Sequence, residues 1–175
     1  YGQFIYAKND AGDLWVNLFI ASELDAGNGL KVRQETTFPD EAGTRLTLTL
    51  DAPRTFALHL RHPAWVTAVG FKVTLNGEPV EVRSTPGSYA TITREWHPGD
   101  TLAIELPMTT RLEALPSNSA YAAVMHGPIL LAAKTGTEHL EGLVADGSRM
   151  GHAAPGAFEP LDAAPMLVGR PTALA

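Results

Sequence analysis

The sequence predicts an all-β fold. It is expected to be an antiparallel β-sandwich of jelly-roll type, with about eleven short strands and an irregular C-terminal extension. Three observations predict it. Apolar and polar residues alternate with period two up to about residue 133. Turn formers, among them 16 Gly and 13 Pro, punctuate the alternation at short intervals. No segment sustains an apolar 3.6-residue stripe over three turns.

Leu14, Val16, Leu18 and Ile20 share one face of Asp13–Ala21, with Trp15 and Phe19 on the other, so this strand is expected to be covered on both sides. Leu46, Leu48 and Leu50 alternate with Arg45, Thr47 and Thr49. Phe56, Leu58 and Leu60 alternate with Thr55, Ala57, His59 and Arg61. Phe71, Val73 and Leu75 meet Val80 and Val82 across Asn76-Gly77, a pair that tolerates the two positive φ angles of a type I′ hairpin. A strand around Ile92 ends at His97-Pro98-Gly99-Asp100, where Pro98 and Gly99 suit the centre of a type II turn. Leu102, Ile104 and Leu106 resume the alternation until Pro107 stops it. Segments at 111–115, 121–125 and 129–133 complete the set. Ser22–Gly29 and Ala132–Leu143 are the two places where a turn or two of helix is expected.

Composition changes after Lys134: 17 of the 34 residues from Gly142 to Ala175 are Gly, Ala or Pro. The domain reading is a sandwich over 1–133 and, over 134–175, an extension or linker toward a further domain, with Phe158, Leu161, Met166, Leu167 and Val168 able to dock. The chain begins with Tyr1, without the basic start and apolar region of a signal peptide, and reads as a fragment or processed product. The compartment is left open.

Thirteen Lys and Arg against 19 Asp and Glu give a net charge of −6 with no basic run, which argues against nucleic acid as a partner. No apolar stretch approaches the ~20 residues of a membrane-spanning helix. The absence of cysteine excludes disulfides, thiolate metal sites and a cysteine nucleophile in these 175 residues.

Paired carboxylates flanking a sugar would make a glycosidase. Asp10 with Asp13, Glu35 with Asp40 and Glu41, and Glu78 with Glu81 are the available pairs. All but Glu35 lie in turn-like or hairpin surroundings where short polar side chains ordinarily bond the local backbone. His59 and His62, three apart in a strand, should face opposite ways, which is unsuitable for a shared metal. There is no Gly-x-Ser-x-Gly elbow, Walker sequence or Gly-x-Gly-x-x-Gly. No cofactor is expected. Trp15, Trp65 and Trp96 remain either as sugar-stacking platforms or as packing residues.

Several phrases then read together. They are Leu14–Leu24 (Leu-Trp-Val-Asn-Leu-Phe-Ile-Ala-Ser-Glu-Leu), Gln34–Pro39 (Gln-Glu-Thr-Thr-Phe-Pro), Leu60–Trp65 (Leu-Arg-His-Pro-Ala-Trp) and Leu75–Val80 (Leu-Asn-Gly-Glu-Pro-Val). Arg94-Glu95-Trp96, Gly99-Asp100, Glu105–Met108, Leu112-Glu113, Tyr121 and Gly127-Pro128 follow. In this order and spacing, residues 1–133 resemble the β-sandwich that follows the catalytic barrel in glycoside hydrolase family 127, the β-L-arabinofuranosidase-like proteins, also filed as domain of unknown function 1680. The resemblance implies that the chemistry belongs to an (α/α)₆ barrel, with a cysteine nucleophile beside a zinc ion and a glutamate acid/base. None of those residues carries over to a chain without cysteine. What it implies here is a non-catalytic accessory sandwich whose partner is that barrel. An independent carbohydrate-binding module is the alternative. Arg61, Trp65, Arg94 and Trp96 are the candidate contact residues, because Arg and Trp are enriched in contact cores.

Overall fold

The computed structural model describes residues 2–115 and 118–132. After a 3₁₀ turn at Gly2–Phe4 come thirteen strands: β1 Tyr6–Lys8, β2 Leu14–Val16, β3 Ser22–Gly27, β4 Leu30–Glu35, β5 Gly43–Leu50, β6 Arg54–Arg61, β7 Lys72–Leu75, β8 Glu78–Val80, β9 Tyr89–Trp96, β10 Thr101–Glu105, β11 Thr110–Leu115, β12 Asn118–His126 and β13 Ile129–Leu131. They form a four-stranded sheet in the order β1-β2-β6-β9, a six-stranded sheet in the order β3-β4-β5-β10-β7-β8, and a three-stranded sheet in the order β11-β12-β13. All pairings are antiparallel except β2 with β6, which run parallel with Leu14 opposite Leu58 and Val16 opposite Leu60.

The first two sheets make the sandwich, and alternation builds its core. Leu14, Val16, Phe56, Leu58, Leu60, Ala90, Ile92 and Trp96 face inward from the four-stranded sheet. Leu30, Val32, Leu46, Leu48, Leu50, Val73, Leu75, Leu102 and Ile104 meet them from the six-stranded one. Each fully buried Leu contributes about 1.5–3 kcal/mol relative to exposure, and the requirement to hide every second residue fixes the register.

Two expectations need correction. The Asp13–Ala21 strand stops at Val16; Phe19 turns into the core from an irregular segment, and Ile20 is exposed. Ser22–Gly29 is not helical but forms β3 and a tight turn into β4. Asn28 (φ 52°) and Gly29 (φ 75°) occupy the turn, the same Asn-Gly solution seen at Asn76 (φ 51°) and Gly77 (φ 88°). The Ser-Glu-Leu-Asp-Ala-Gly of β3 has weak strand propensity, so pairing with β4 decides its state. Ala132–Leu143 lies outside the described residues from 133 onward, as does the 134–175 extension.

The remaining turn readings agree with the backbone. Gly99 sits at φ 86°, and Asp100 N–H donates to His97 O at 3.1 Å. Strands β11–β13 pair only with one another among the described residues and leave Leu112, Leu130 and Leu131 exposed. At the β12–β13 turn the Met108 side chain, from the segment leading into β11, occupies the space a Cβ on Gly127 would need.

Trp96 has the largest side chain with no exposed surface, and its Nε1–H donates to Phe56 O at 3.1 Å. Trp96→Ala is expected to cost about 3–5 kcal/mol through the cavity left behind. Trp96→Phe should cost less, about 1–3 kcal/mol, through the lost donor. Urea unfolding of both variants measures the difference.

Candidate functional site

Because one face of each sandwich sheet is buried, the site must be sought on the two outer faces, at the strand ends, or in the loops. The outer face of the six-stranded sheet carries Glu23, Asp25, Lys31, Arg33, Glu35, Arg45, Lys72 and Glu105. Its ion pairs are Arg33–Glu23 at 3.8 Å, Arg33–Glu35 at 3.2 Å and Lys72–Glu105 at 3.8 Å. These are exposed pairs of small energetic value, the mark of a solvated face. A shallow hollow of about 420 Å³ at its edge is lined by Glu35, Glu41 and Arg45. It is open to water, and Glu35 is already paired with Arg33, so it lacks the enclosure that acid–base attack on a sugar needs.

The outer face of the four-stranded sheet is different. Trp15 on β2 pairs with His59 on β6, which pairs in turn with Thr91 on β9. The indole and imidazole stack at 4.1 Å with 13° between planes, and His59 Nδ1 lies 2.8 Å from Thr91 Oγ1. One row further, the Arg61 guanidinium lies 5.2 Å from the Tyr89 ring centroid, and Tyr89 Oη donates to Asn17 Oδ1 at 2.8 Å. Trp15, Ala57, His59, Arg61 and Tyr89 are all half-buried.

The four candidate contact residues do not form one cluster. Arg61 belongs to the face just described. Trp65, in the loop after β6, is half-buried and stacks on Phe38 at 5.9 Å; Phe38 meets Phe19 edge-on at 6.3 Å, so the three rings close one end of the core. Arg94 lies near the other end of β9, with its guanidinium 5.5 Å from the Trp96 ring. Trp96 has no exposed surface and packs against Phe56 within the core. Trp15, weighed by sequence as a sugar-stacking or packing residue, stacks with His59, and neither this pair nor Tyr89 is among the four candidate contact residues. Alternation placed Trp15 and His59 opposite their core-facing neighbours, but only the β2–β6 pairing makes them adjacent.

The buried or bonded polar residues serve the architecture. Asp13 accepts Ala57 N–H and the Asn9 amide, both at 2.9 Å, and these bonds, that from Ala57 foremost, hold its carboxyl below the ordinary range. For Asp100, burial is the largest single influence and pulls upward. The His97 N–H, the Asn76 amide and the positive charges of Arg94 and His97 together outweigh it, and the carboxyl lies below its ordinary value. Burial pushes the Tyr6 phenol up, partly offset by its bond to Ser22. Tyr6 Oη also donates to Gln34 Oε1 at 3.1 Å, and Gln34 Nε2 donates to Thr44 Oγ1, a chain that ties the two sheets. His62 is fully buried and stacked on Phe71, with Nε2 3.0 Å from Val66 O and Nδ1 2.7 Å from Ser84 Oγ. Since a carbonyl can only accept, Nε2 carries a proton there. His59 and His62 therefore part to opposite sides, and among the described residues no three His, Asp or Glu side chains gather as a metal site.

With this geometry in view, the comparisons with known proteins decide the family. Residues 13–108 match the profile described as beta-L-arabinofuranosidase, GH127 middle domain. The chain belongs to that family. Residues 111–175 match a separate domain of unknown function. The non-reducing end beta-L-arabinofuranosidase of Bifidobacterium longum is 29% identical over 75% of this chain and 21% of its own length. The crystal structure of a GH127 beta-L-arabinofuranosidase from Geobacillus stearothermophilus T6 superposes with a TM-score of 0.65 and 33% identity, over 74% of this chain and 21% of that one. A further GH127 beta-arabinofuranosidase structure gives 0.58 and 28%, over 72% of this chain and 23% of its own. The chain thus spans about a fifth of the length of the relatives it matches.

Asp100 and Asp13 give this GH127 middle domain an acid-sensitive stability. A depressed carboxyl stabilises the fold above the unfolded-state value of about 3.9, and that contribution is lost as pH falls through the lower folded value. Asp100→Asn is expected to flatten the fall in urea midpoint between about pH 5 and pH 2 relative to the parent sequence.

Proposed function

We propose that this chain is a non-catalytic accessory sandwich of a β-L-arabinofuranosidase-like glycoside hydrolase, held against the helical catalytic barrel of a longer polypeptide. One observation carries the reading. The buried polar side chains among the described residues, Gln34, Thr44, His62 and Asp100, are all engaged in bonds that join strands and turns. Among the described residues no buried acid, base or nucleophile is left facing a cleft. Membership in the GH127 middle-domain family and the one-fifth coverage of the relatives support the same reading.

The domain division belongs to this proposal. The sandwich runs to about Met108 and a second unit starts with β11, rather than at residue 134 where the composition shifts. Two separate family profiles, over 13–108 and 111–175, and the pairing of β11–β13 only with one another among the described residues support it.

The test is hydrolysis of aryl arabinofuranosides by the 175-residue chain beside the longer hydrolase that contains it. The longer protein is expected to turn over and the chain alone to match buffer. Measurable turnover by the chain overturns the reading. The carbohydrate-binding alternative is checked by calorimetry of the same chain with arabinose-containing oligosaccharides, where flat titrations are expected.

A further inference from the structure

The two outer faces of the sandwich are chemically unlike, and the difference points to a seam. One face is a checkerboard of Glu, Arg, Lys and Thr linked by exposed ion pairs. Across the central strands of the other, Trp15, Ala57, His59, Arg61 and Tyr89 are half-buried, with no covering layer among the described residues. Exposed Thr55, Thr91, Thr93 and Glu95 complete the same face around this half-buried patch. The Trp15 Nε1–H and the Arg61 guanidinium bond no acceptor among the described residues and reach solvent, since every buried side-chain nitrogen and oxygen there has a partner. A patch of half-buried Trp, His, Arg and Tyr side chains has the composition of a contact core, in which aromatic residues and Arg are enriched.

We infer that the outer face of the β1-β2-β6-β9 sheet, centred on Trp15, His59, Arg61 and Tyr89, is the surface that docks on the large remaining part of the longer hydrolase, its helical catalytic module. This rests on the reading above that the chain is one module of a longer hydrolase, and it names the face. The relatives place roughly four-fifths of their length outside the matched region, so the occupant is at hand in the same molecule. A glycan is the weaker occupant for a geometric reason. Side chains on one sheet face stand roughly upright. Trp15 and His59 rise from adjacent strands as a parallel pair 4.1 Å apart, so they turn edges and N–H groups outward rather than a flat ring. Sugars stack on flat, open rings; protein surfaces accept upright edges.

The test compares labelling of the 175-residue chain with labelling of the longer hydrolase. Hydroxyl-radical oxidation reads Trp15 and Tyr89, diethylpyrocarbonate reads His59, and acetylation of Lys31 reports on the opposite face. In the longer protein, labelling of Trp15 and His59 is expected to fall by about tenfold, as for residues in a desolvated contact core, while Lys31 is unchanged. Arg61→Glu in the longer protein should restore much of the Trp15 labelling without changing that of Lys31. Protection of Lys31 instead of Trp15 would leave the accessory reading standing and overturn the choice of face. No protection anywhere on the chain would overturn both. Protection of Trp15 in the isolated chain by arabinose-containing oligosaccharides would replace the seam with a glycan platform. A concentration-dependent dimer of the isolated chain, lost in Arg61→Glu, would replace it with self-association.

Discussion

Burial between two sheets is the constraint on which the rest of this molecule depends. Once Leu14, Val16, Leu58 and Leu60 are committed to the interior from one side, and Val32, Leu46, Leu48 and Leu102 from the other, period-two geometry commits every intervening residue to an outer face. Trp15, His59 and Arg61 are external because their neighbours are internal. The core thus sets the composition of the surface, and the surface is where any function of this domain must reside.

The ends of the sandwich are closed by a second kind of interaction, the engagement of polar groups that tight turns would otherwise leave unpaired. Asn76 and Asp100 clip the β7–β8 hairpin to the β9–β10 turn, with the Asn76 amide donating to Asp100 at 2.8 Å and Thr101 N–H donating back to Asn76 Oδ1 at 2.9 Å. Asp13 fastens the β1–β2 turn to the middle of β6 through Ala57. His62 holds the loop that contains Ser84 against the end of β6. In an isolated sequence each of these residues is a candidate acid, base or ligand. In the fold each is a fastening. A charged or titratable residue in a β-sandwich is therefore poor grounds for chemistry until its hydrogen bonds are known.

The family relationship fits this picture of a domain that contributes structure. The GH127 match covers the sandwich itself, and the solved relatives share its backbone arrangement at 28–33% identity. An alternating apolar core of the right volume is a requirement that many sequences can satisfy. A solvated checkerboard on one outer face and a half-buried patch of Trp, His, Arg and Tyr on the other give the domain two distinct sides.

The sequence by itself determined the strands, their inward faces and the tight turns. Alternation and the Asn76-Gly77 and Pro98-Gly99 pairs are local signals, each readable within a few residues. It also carried the family, through an ordered set of short phrases. It misread Ser22–Gly27, whose weak strand propensity is overridden by pairing with β4, and it ran β2 on to Ala21, where apolar residues continue but the ladder does not. Only the tertiary structure decided which strands are neighbours. The parallel pairing of β2 with β6 joins residues more than forty positions apart, and no local pattern encodes it. That pairing places Trp15 against His59, while the depth of the core removes Trp96 from the surface. Secondary structure is written in nearest neighbours, whereas a surface is assembled from residues distant in sequence, so its composition becomes visible only when the sheets have formed.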